Sequence, residues 1–450
     1  MARMPEKSIA EAITAVKQQG VQLPARRIVE KICRTIGHRW RRGPLDPYHT
    51  IIVFLMQMIN RNTACSHACS LSGLGVTASA YCQARRRLPL QFFIALFVKL
   101  ADDLVESTSK LIHWHGHRVF LIDGSSFSMP DTPVLQRHFG SPSGQKKGCS
   151  FPVAHLMALC DMTTGMMVDI IASPLRSGDL TQGVRTHRAL RKGDVVVGDR
   201  IFGTWGYLTL VLQQNLHAVV RAHQHLQISF HPRKNWHKRG TYHRLYKLDR
   251  DDQVIEWFKP SYRPRWMSLE QYNNLPASTL VRAIRYTIRR TGFRTKRVTL
   301  LTTLMDHERY PTNDIIELYG RRWEIETNFR DLKQTMEMKT LRCKTVEGVL
   351  KEMYTYAIAY NLVRMRCLGG AIHQHVDPRR ISFVDALRWL QQAMTRRCAS
   401  GSPPPLQTNP DRPGRVEPRA IKRRPLQQRY LTVPRSIARK QLLKQQQLAA

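Results

Sequence analysis

Apolar residues recur at helical spacing through the first 115 residues, and glycine or proline separates the periodic segments. The periodic segments are residues 8–19, 25–36, 48–60 and 90–105, and the punctuation between them includes Gly20, Gly43-Pro44 and Pro89. The pattern predicts a helical domain over residues 1–115.

Short continuous apolar runs, typical of buried strands, replace this periodicity after residue 117. One run ends at Asp123 and another at Asp199, while two further runs at 153–161 and 165–172 flank a Met162-Thr-Thr-Gly165 turn and predict a hairpin. Helical patterns at 179–190 and 203–214 and a strand at 216–221 complete residues 116–222. This order predicts a mixed α/β sheet flanked by helices.

The residue composition and pattern differ in each of the three segments that follow. Residues 223–297 are rich in aromatic and basic residues with strand-like alternation, which indicates a β-rich insertion. Residues 298–395 return to a buried strand and two long helices, at 315–336 and 346–365. Residues 396–450 are rich in proline, glutamine and arginine, and this composition predicts a basic tail without fixed structure until it meets DNA.

The helix at 315–336 carries two lines of residues at helical spacing. An apolar stripe comprises Leu318, Ile325, Phe329, Leu332 and Met336, and a polar line beside it comprises Tyr319, Arg322, Glu326, Arg330 and Lys333. One carboxylate among groups that bind phosphate would suit a metal-dependent nuclease. The alternative is an exposed face held by pairs such as Glu326 with Arg330. A rival acid, Glu324, lies about 160° away around the helix.

The charge balance indicates a polyanionic partner. The chain has 71 Lys and Arg against 33 Asp and Glu, a formal net charge of +38, and nucleic acid is the commonest partner of such a protein. Arginine clusters at 39–42 and 85–87 make the helical domain a candidate for binding double-stranded DNA. No apolar run has the length of a membrane span, and we therefore expect a cytoplasmic protein.

Three acids hold similar places in the predicted architecture. Asp123 and Asp199 each end a strand and Glu326 lies on a helix that packs on the sheet. Carboxylates so placed can share one or two Mg²⁺ ions, because Mg²⁺ prefers hard oxygen ligands and leaves room for phosphate oxygens. For each aspartate alone, a role in a turn is the alternative.

The spacing Tyr319-x2-Arg322-x3-Glu326-x6-Lys333 resembles the signature of bacterial insertion-sequence transposases of the DDE superfamily, in the group typed by insertion sequence four. Further blocks resemble the same family: Ile122-Asp123-Gly124-Ser125, where many members have Thr after the glycine, Val197-Gly198-Asp199-Arg200-x-Phe202, Leu341-Arg342-x-Lys344, Tyr360-Asn361-Leu362 and Pro418-Arg419-x3-Arg423-Arg424-Pro425. The resemblance covers residues 80–445.

The resemblance implies an RNase H-like core interrupted by the β-rich insertion. Asp123, Asp199 and Glu326 would be the catalytic metal ligands for Mg²⁺, or Mn²⁺ in its place, bound as two ions. DNA would be held by Tyr319, Arg322 and Lys333, to which we add Arg330 from its helix face and Arg200 from the second block. A tryptophan of the insertion would stack on a flipped base, with Trp236, Trp257 and Trp266 left as alternatives. Trp323 lies inside the motif and is equally a candidate for the core.

The implied function is cut-and-paste transposition by a bacterial, nucleoid-associated enzyme. The protein would bind the terminal inverted repeats of its own element, cleave their ends with Mg²⁺-activated water and join the 3′-hydroxyls to target DNA. A homodimer would hold two ends in a synaptic complex. The alternative is a transposase-derived DNA-binding protein or repressor that no longer cuts.

Overall fold

The computed structural model describes residues 24–108, 114–143, 146, 148–231, 241–288, 296–395, 405–410 and 431–448. The predicted helix at 8–19, Trp236 and the tail segment 418–425 lie outside these residues. Within the described part, a nine-stranded mixed sheet with helices against both faces confirms the predicted mixed α/β architecture.

The described N-terminal part is helical. Its helices are α1 (Arg26–Thr35), α2 (Pro47–Ile59), α3 (Cys65–Ser72), α4 (Ala78–Arg87) and α5 (Leu90–Thr108). Helix α2 begins at a proline, which fixes a helical φ in the first turn, and the Asp46 carboxylate accepts a hydrogen bond from the His49 N–H at 2.8 Å. The predicted helices at 25–36, 48–60 and 90–105 are confirmed to within about one turn of helix.

The sheet combines parallel and antiparallel pairs. Its strands are β1 (Val119–Ser128), β2 (Val153–Asp161), β3 (Met167–Pro174), β4 (Val195–Gly198), β5 (His217–Arg221), β6 (Tyr242–Asp249), β7 (Asp252–Phe258), β8 (Ser278–Ile288) and β9 (Lys296–Thr302). The spatial order is β3-β2-β1-β4-β5-β9-β8-β7-β6. Strands β1, β4 and β5 are parallel neighbours, and the remaining pairs are antiparallel.

Strands β6, β7 and β8 of the aromatic-rich segment continue the same sheet among the described residues. They are joined to it by β9, which pairs with β8 on one side and with β5 on the other. The predicted hairpin is also present as β2 and β3, and Gly165 in its turn has φ +71°, a left-handed conformation that glycine adopts without strain.

Strand β1 differs from its predicted extent. We expected the strand to end at Asp123, but it continues to Ser128. The reason is its antiparallel partner β2, which pairs with β1 along its whole length from Phe120 to Ser128, whereas parallel pairing with β4 ends at Leu121. Asp123 therefore lies within a strand, at the point where one of its two neighbours has stopped.

Further helices follow β1 along the chain. They are α6 (Pro133–Phe139), α7 (Asp179–Thr186), α8 (Trp205–Gln213), α9 (Leu269–Asn273), α10 (Thr312–Gly320), α11 (Glu324–Arg330), α12 (Val346–Gln374), α13 (Phe383–Thr395) and α14 (Arg435–Leu448). The predicted helix at 315–336 consists of α10 and α11, a 3₁₀ turn between them at Arg321–Trp323, and a π-helical turn at Asp331–Thr335. Such irregular turns are frequent at functional sites.

Each face of the sheet has its own apolar core. Leu121 and Val197 point to the face on which α11, α12 and the N-terminal helices pack. Ile122 and Val196, each one residue away, point to the opposite face, where α8 packs. Because side chains alternate along a strand, residues of the same parity as Leu121 and Val197 face α11.

Two parts of the tail are structured, contrary to our expectation. Leu406 is buried against Gly370 of α12, and residues 435–448 form α14, whose first residue donates its backbone N–H to the Gly148 carbonyl at 3.1 Å. The Arg435 guanidinium also lies 3.4 Å from the centre of the Phe151 ring. Composition averaged over 55 residues hid these few apolar and aromatic contacts.

Among the described residues, none of the helices combines the length and the apolarity that crossing a bilayer requires.

Candidate active site

Asp123 and Asp199 lie where the parallel pair of β1 with β4 ends. The last register partners are Leu121 and Val197; Asp123 is two residues further along β1, and Asp199 is the first residue after β4. The Asp199 charge acts on the Asp123 carboxyl, so the two side chains are near each other. Their backbone surroundings hold them there: Asp123 Oδ1 accepts from the Gly124 N–H and Asp199 Oδ1 from the Ile201 N–H, both at 2.8 Å.

Glu326 approaches the same place from the helix that lies on this face. The predicted apolar stripe is confirmed, since Leu318, Ile325, Phe329, Leu332 and Met336 are all buried. Packing of that stripe turns the polar line toward the carboxyl ends of the parallel strands. The Glu326 side chain remains 47% exposed, so a carboxylate faces solvent beside the two aspartates.

The Arg322 guanidinium lies between two of the three acids. Its Nη1 is 3.6 Å from Asp123 Oδ2 and its Nη2 is 3.3 Å from Glu326 Oε1. The residue is buried, and its Nε has no hydrogen-bond partner among the described residues. Arg322 thus supplies positive charge where the carboxylates converge while retaining an unused donor.

Burial makes the charged form of Asp123 unfavourable. It raises the pKa of the Asp123 carboxyl from 3.8 to about 6, even though the Gly124 N–H and Arg322 favour the carboxylate. The charges of Asp199 and Glu326 raise the pKa further. The three acids therefore interact electrostatically, and a cation added among them would favour ionised Asp123.

Tyr319 and Lys333 flank the acids along the same helical segment. Tyr319 is buried, and burial raises its pKa while nearby Arg322 and Arg221 lower it. Lys333 Nζ donates to Ser125 Oγ at 3.1 Å from the π-helical turn, and burial lowers the pKa of the lysine, with a contribution from Lys339. The Ser125 hydroxyl is thus engaged with Lys333.

Arg330 and Arg200 form no ion pair with the three carboxylates in the described part of the chain. The Arg330 side chain is 59% exposed, and its nearest acid is Asp331 at 3.9 Å. Arg200 is also exposed, and its Nη1 donates to Gln224 Oε1 at 3.2 Å. Both lie on the rim of the site, where a cation is free to contact a bound polyanion.

The rival acid Glu324 has other partners. Its Oε1 is 2.8 Å from Arg321 Nε and 2.7 Å from Arg379 Nη1. Two arginines therefore neutralise Glu324 away from Asp123, and its carboxylate serves to hold the helix against the segment at 377–380.

The tryptophans of the region differ in exposure. Trp257 is buried and Trp266 is packed against the core of the α8 face. For Trp323 the sequence left a core position open as one of two possibilities, and the side chain is 61% exposed, with the Arg322 guanidinium 4.6 Å from its ring centre. A 3₁₀ turn at 321–323 changes the angle per residue and turns this ring outward.

Sequence patterns did not single out two histidines near the acids. His223 follows β5, and burial lowers its pKa whereas Asp199 raises it, so the two groups interact. On the opposite face of β1, His155 Nε2 is 2.5 Å from Asp179 Oδ1, and both atoms would be 3.0 Å from a Cβ at Gly124. The available signal for His223 was its position after a strand parallel to β4.

A buried arginine on α12 fixes the helix that carries Glu326. Arg364 Nη2 lies 2.9 Å from Asp331 Oδ2 and 2.8 Å from Asn328 Oδ1, and its Nε donates to the Tyr360 hydroxyl at 2.8 Å. Next to it, Asn361 donates to the Met167 carbonyl at 2.8 Å. These bonds tie the π-helical turn to the edge strand β3.

The donor set suits a hard divalent cation, although in the described residues no three His, Cys, Asp or Glu side chains are close enough to coordinate one as they stand. Asp123, Asp199 and Glu326 offer only carboxylate oxygens, the ligands that Mg²⁺ and Mn²⁺ prefer. Burial, with a smaller contribution from the charges of Asp199 and Glu326, raises the pKa of Asp123, and a cation bound there would offset both effects. The residues therefore fit such an ion by their chemistry.

Comparison with known proteins gives consistent matches. Residues 114–362 match the family model described as transposase DDE domain. The chain is 28% identical over 376 residues to transposase InsG for insertion sequence element IS4 of Escherichia coli (strain K12), which covers 80% of this chain and 79% of that relative. A cryo-EM structure of the piggyBac transposase synaptic complex with hairpin DNA matches with a TM-score of 0.42 and 12% identity, over 86% of this chain and 77% of that chain. That structural likeness is too weak to add to the case for the fold.

Proposed function

The chain belongs to the transposase DDE-domain family and is a transposase of the insertion-sequence-four type, and we propose that it moves its element by cutting and pasting. It would bind the terminal inverted repeats, cleave the strands at their ends and transfer the 3′-hydroxyls to target DNA. Its activity on DNA as an enzyme follows from the family. The catalytic residues, the metal and the order of steps are the proposal.

This proposal is supported by the position of Asp123 on β1 and of Asp199 directly after β4, with Arg322 in contact with both Asp123 and Glu326. These three residues would hold Mg²⁺, or Mn²⁺ in its place, as two ions. When bound, such ions activate water or a 3′-hydroxyl and stabilise the leaving oxygen of an in-line displacement. The carboxylates would position the ions, and Arg322, whose Nη1 and Nη2 lie near Asp123 and Glu326, would donate to the reacting phosphate.

Cations and a tryptophan around the acids would hold the DNA end. Lys333 and Arg322 lie close to the carboxylates and would contact the phosphate that reacts. Buried Tyr319, on the same helical segment, would orient Arg322. Exposed Arg330 and Arg200 would contact the DNA backbone at the rim, where such contacts fix position without reading sequence. Exposed Trp323 is the ring best placed to stack on an unpaired base.

The order β3-β2-β1-β4-β5 supports an RNase H-like core, with β6–β8 inserted between the second aspartate and Glu326. We retain the division into a helical DNA-binding domain (1–115), two parts of the catalytic core (116–222 and 298–395), a β-rich insertion (223–297) and a basic tail (396–450). Two ends must be brought together, so the active species would be a homodimer in a synaptic complex, on the nucleoid in the bacterial cytoplasm.

Strand cleavage of a labelled DNA fragment that contains the ends of the element tests the proposal. Wild type should cut in Mg²⁺, Glu326→Gln should bind the ends without cutting, and Glu324→Gln should cut, because its carboxylate is neutralised by Arg321 and Arg379. Binding of the ends without cleavage by wild type, in Mg²⁺ and in Mn²⁺, would instead identify an inactive DNA-binding protein or repressor.

A further inference from the structure

A cavity of about 550 Å³ opens in the N-terminal helical part, far in sequence from the three acids. The segment between α1 and α2 forms one wall, the start of α2 another, and the end of α4 a third. Its volume falls in the range of sites that enclose a small organic ligand, about 300–1,000 Å³.

Three arginines surround this cavity with uncompensated charge. Arg39, Arg41 and Arg87 line it, all three are exposed, and none has an ion pair with another described residue. Other arginines of the fold do pair with a carboxylate, such as Arg26 with Asp46. Unpaired guanidinium groups converging on a concave surface favour an anionic ligand, for which phosphate is the usual bidentate partner.

An aromatic and apolar surface lies among the cations. Trp40 lines the cavity, half-buried, and the His38 ring stacks with it at 6.3 Å between centroids and 14° between planes. Burial lowers the pKa of His38. Leu45 and Leu88 add apolar lining. A phosphate alone would gain no favourable contact from this aromatic and apolar surface. A nucleobase would, because its π face stacks on tryptophan.

The walls of the cavity are held rigidly. Lys351 Nζ of α12 donates to the Arg86 carbonyl at 3.1 Å and so occupies a free acceptor at the end of α4. Arg85, on the same turn, donates to Gln57 Oε1 of α2 at 2.9 Å. Arg87 is therefore presented from a fixed helix end, and the cavity exists without rearrangement.

We propose that this cavity binds one unpaired nucleotide of DNA, with the base against Trp40 and the backbone phosphate among Arg39, Arg41 and Arg87. A base-paired nucleotide could reach the arginines but could not place its base on the ring. The inference rests on the proposed function only in taking DNA as the source of the nucleotide. It gives the helical domain a preference for strand ends or unpaired positions over continuous duplex.

Fluorescence anisotropy of the full chain with labelled DNA tests this site. One probe is a blunt duplex and the other is the same duplex with three unpaired nucleotides on one strand, of either polarity. Metal is omitted, so the result is independent of strand cleavage, and Trp323→Ala is the control for stacking of the unpaired base at the candidate active site. Trp40→Leu removes the ring but keeps an apolar side chain, and Arg41→Gln is matched by Arg42→Gln, an exposed neighbour that does not line the cavity.

We expect wild type to bind the overhang duplex about tenfold more tightly than the blunt duplex, as stacking of one base allows. Trp40→Leu should abolish this preference without changing blunt-duplex affinity, and Arg41→Gln should weaken overhang binding more than Arg42→Gln does. Equal wild-type affinity for both probes would overturn the proposal, as would equal losses in the two arginine variants. Tighter binding of free dAMP than of the overhang duplex would show that the cavity takes a free nucleotide, and would overturn the proposal that the bound nucleotide belongs to DNA.

A second readout covers the case in which Trp40→Leu fails to fold. A 2-aminopurine placed in the overhang loses fluorescence when it stacks on a ring, so wild type should quench it, and Arg41→Gln should quench it only at higher protein concentration. Binding of the overhang without quenching would overturn the assignment of the base to Trp40.

Discussion

Ionisation of the Asp123 carboxyl should lower the free energy of unfolding at neutral pH, by an amount that follows from its pKa. Burial raises the pKa of the carboxyl from 3.8 to about 6, a shift of about 2 units, and each unit corresponds to about 1.4 kcal/mol. The resulting ~3 kcal/mol is an upper bound because 22% of the side chain is exposed. The folded state holds this proton more tightly than the unfolded state, so stability falls as pH rises from about 4 to about 6.

Asp123→Asn removes this cost and keeps an oxygen to accept the Gly124 N–H. We expect the variant to be more stable than wild type at pH 7.5 by up to about 3 kcal/mol, with the difference vanishing near pH 4. For a chain of 450 residues, an unfolding entropy of roughly 2 cal/mol/K per residue makes this a rise of about 3 °C in melting temperature. The same variant should lose strand cleavage completely.

Differential scanning calorimetry between pH 4 and pH 7.5 measures the effect, with Asp102→Asn as the control because Asp102 is exposed on α5. Mg²⁺ should raise the melting temperature of wild type but not of Asp123→Asn, since only the carboxylate binds the ion. A variant that melts below wild type at pH 7.5, or a pH profile equal to that of wild type, would refute the reasoning.

Three further predictions concern the catalytic helix and its support. Arg364→Met should lower the free energy of unfolding by about 3–5 kcal/mol in urea denaturation, because Asp331 is left buried without its partner; an unchanged midpoint would contradict this. Trp323→Ala should keep the melting temperature within about 1 °C, since the exposed ring adds little to the core, but should slow cleavage, which single-turnover kinetics measures; equal rates would remove the stacking role. Glu324→Gln should lower the melting temperature modestly and leave cleavage intact. Glu326→Gln should abolish cleavage without lowering the melting temperature, and melting curves and cleavage assays on both variants would show this.

The local sequence pattern predicted those parts of the fold that depend on residues close together in the chain. The hairpin at 153–174 and the apolar stripe of the catalytic helix follow from periods of two and of 3.6 residues, and both are present. The predicted end of β1 at Asp123 was wrong because the length of a strand depends on its neighbouring strands. Strand β2 continues beside β1 where β4 stops. No pattern within residues 118–123 contains that information.

The candidate site was predictable only in part, for a similar reason. The spacing of acids and cations placed Glu326 and Lys333 on one helix line, but burial of Tyr319 and Arg322 comes from packing against the sheet. The outward turn of Trp323 depends on a 3₁₀ turn that breaks the assumed period of 100° per residue. The role of Arg364 as the partner of Asp331 requires contacts between segments 33 residues apart.

The central claim is that Asp123, Asp199 and Glu326 together hold the divalent ion. Iron-directed backbone cleavage tests it most directly: Fe²⁺ replaces Mg²⁺, ascorbate and peroxide generate hydroxyl radicals at the bound ion, and mass spectrometry maps the cut peptide bonds. We predict cuts clustered near residues 123, 199 and 326, suppressed by excess Mg²⁺ and absent in Asp123→Asn. Cuts confined to other segments, or an unchanged pattern in that variant, would contradict the assignment of these three residues as ligands.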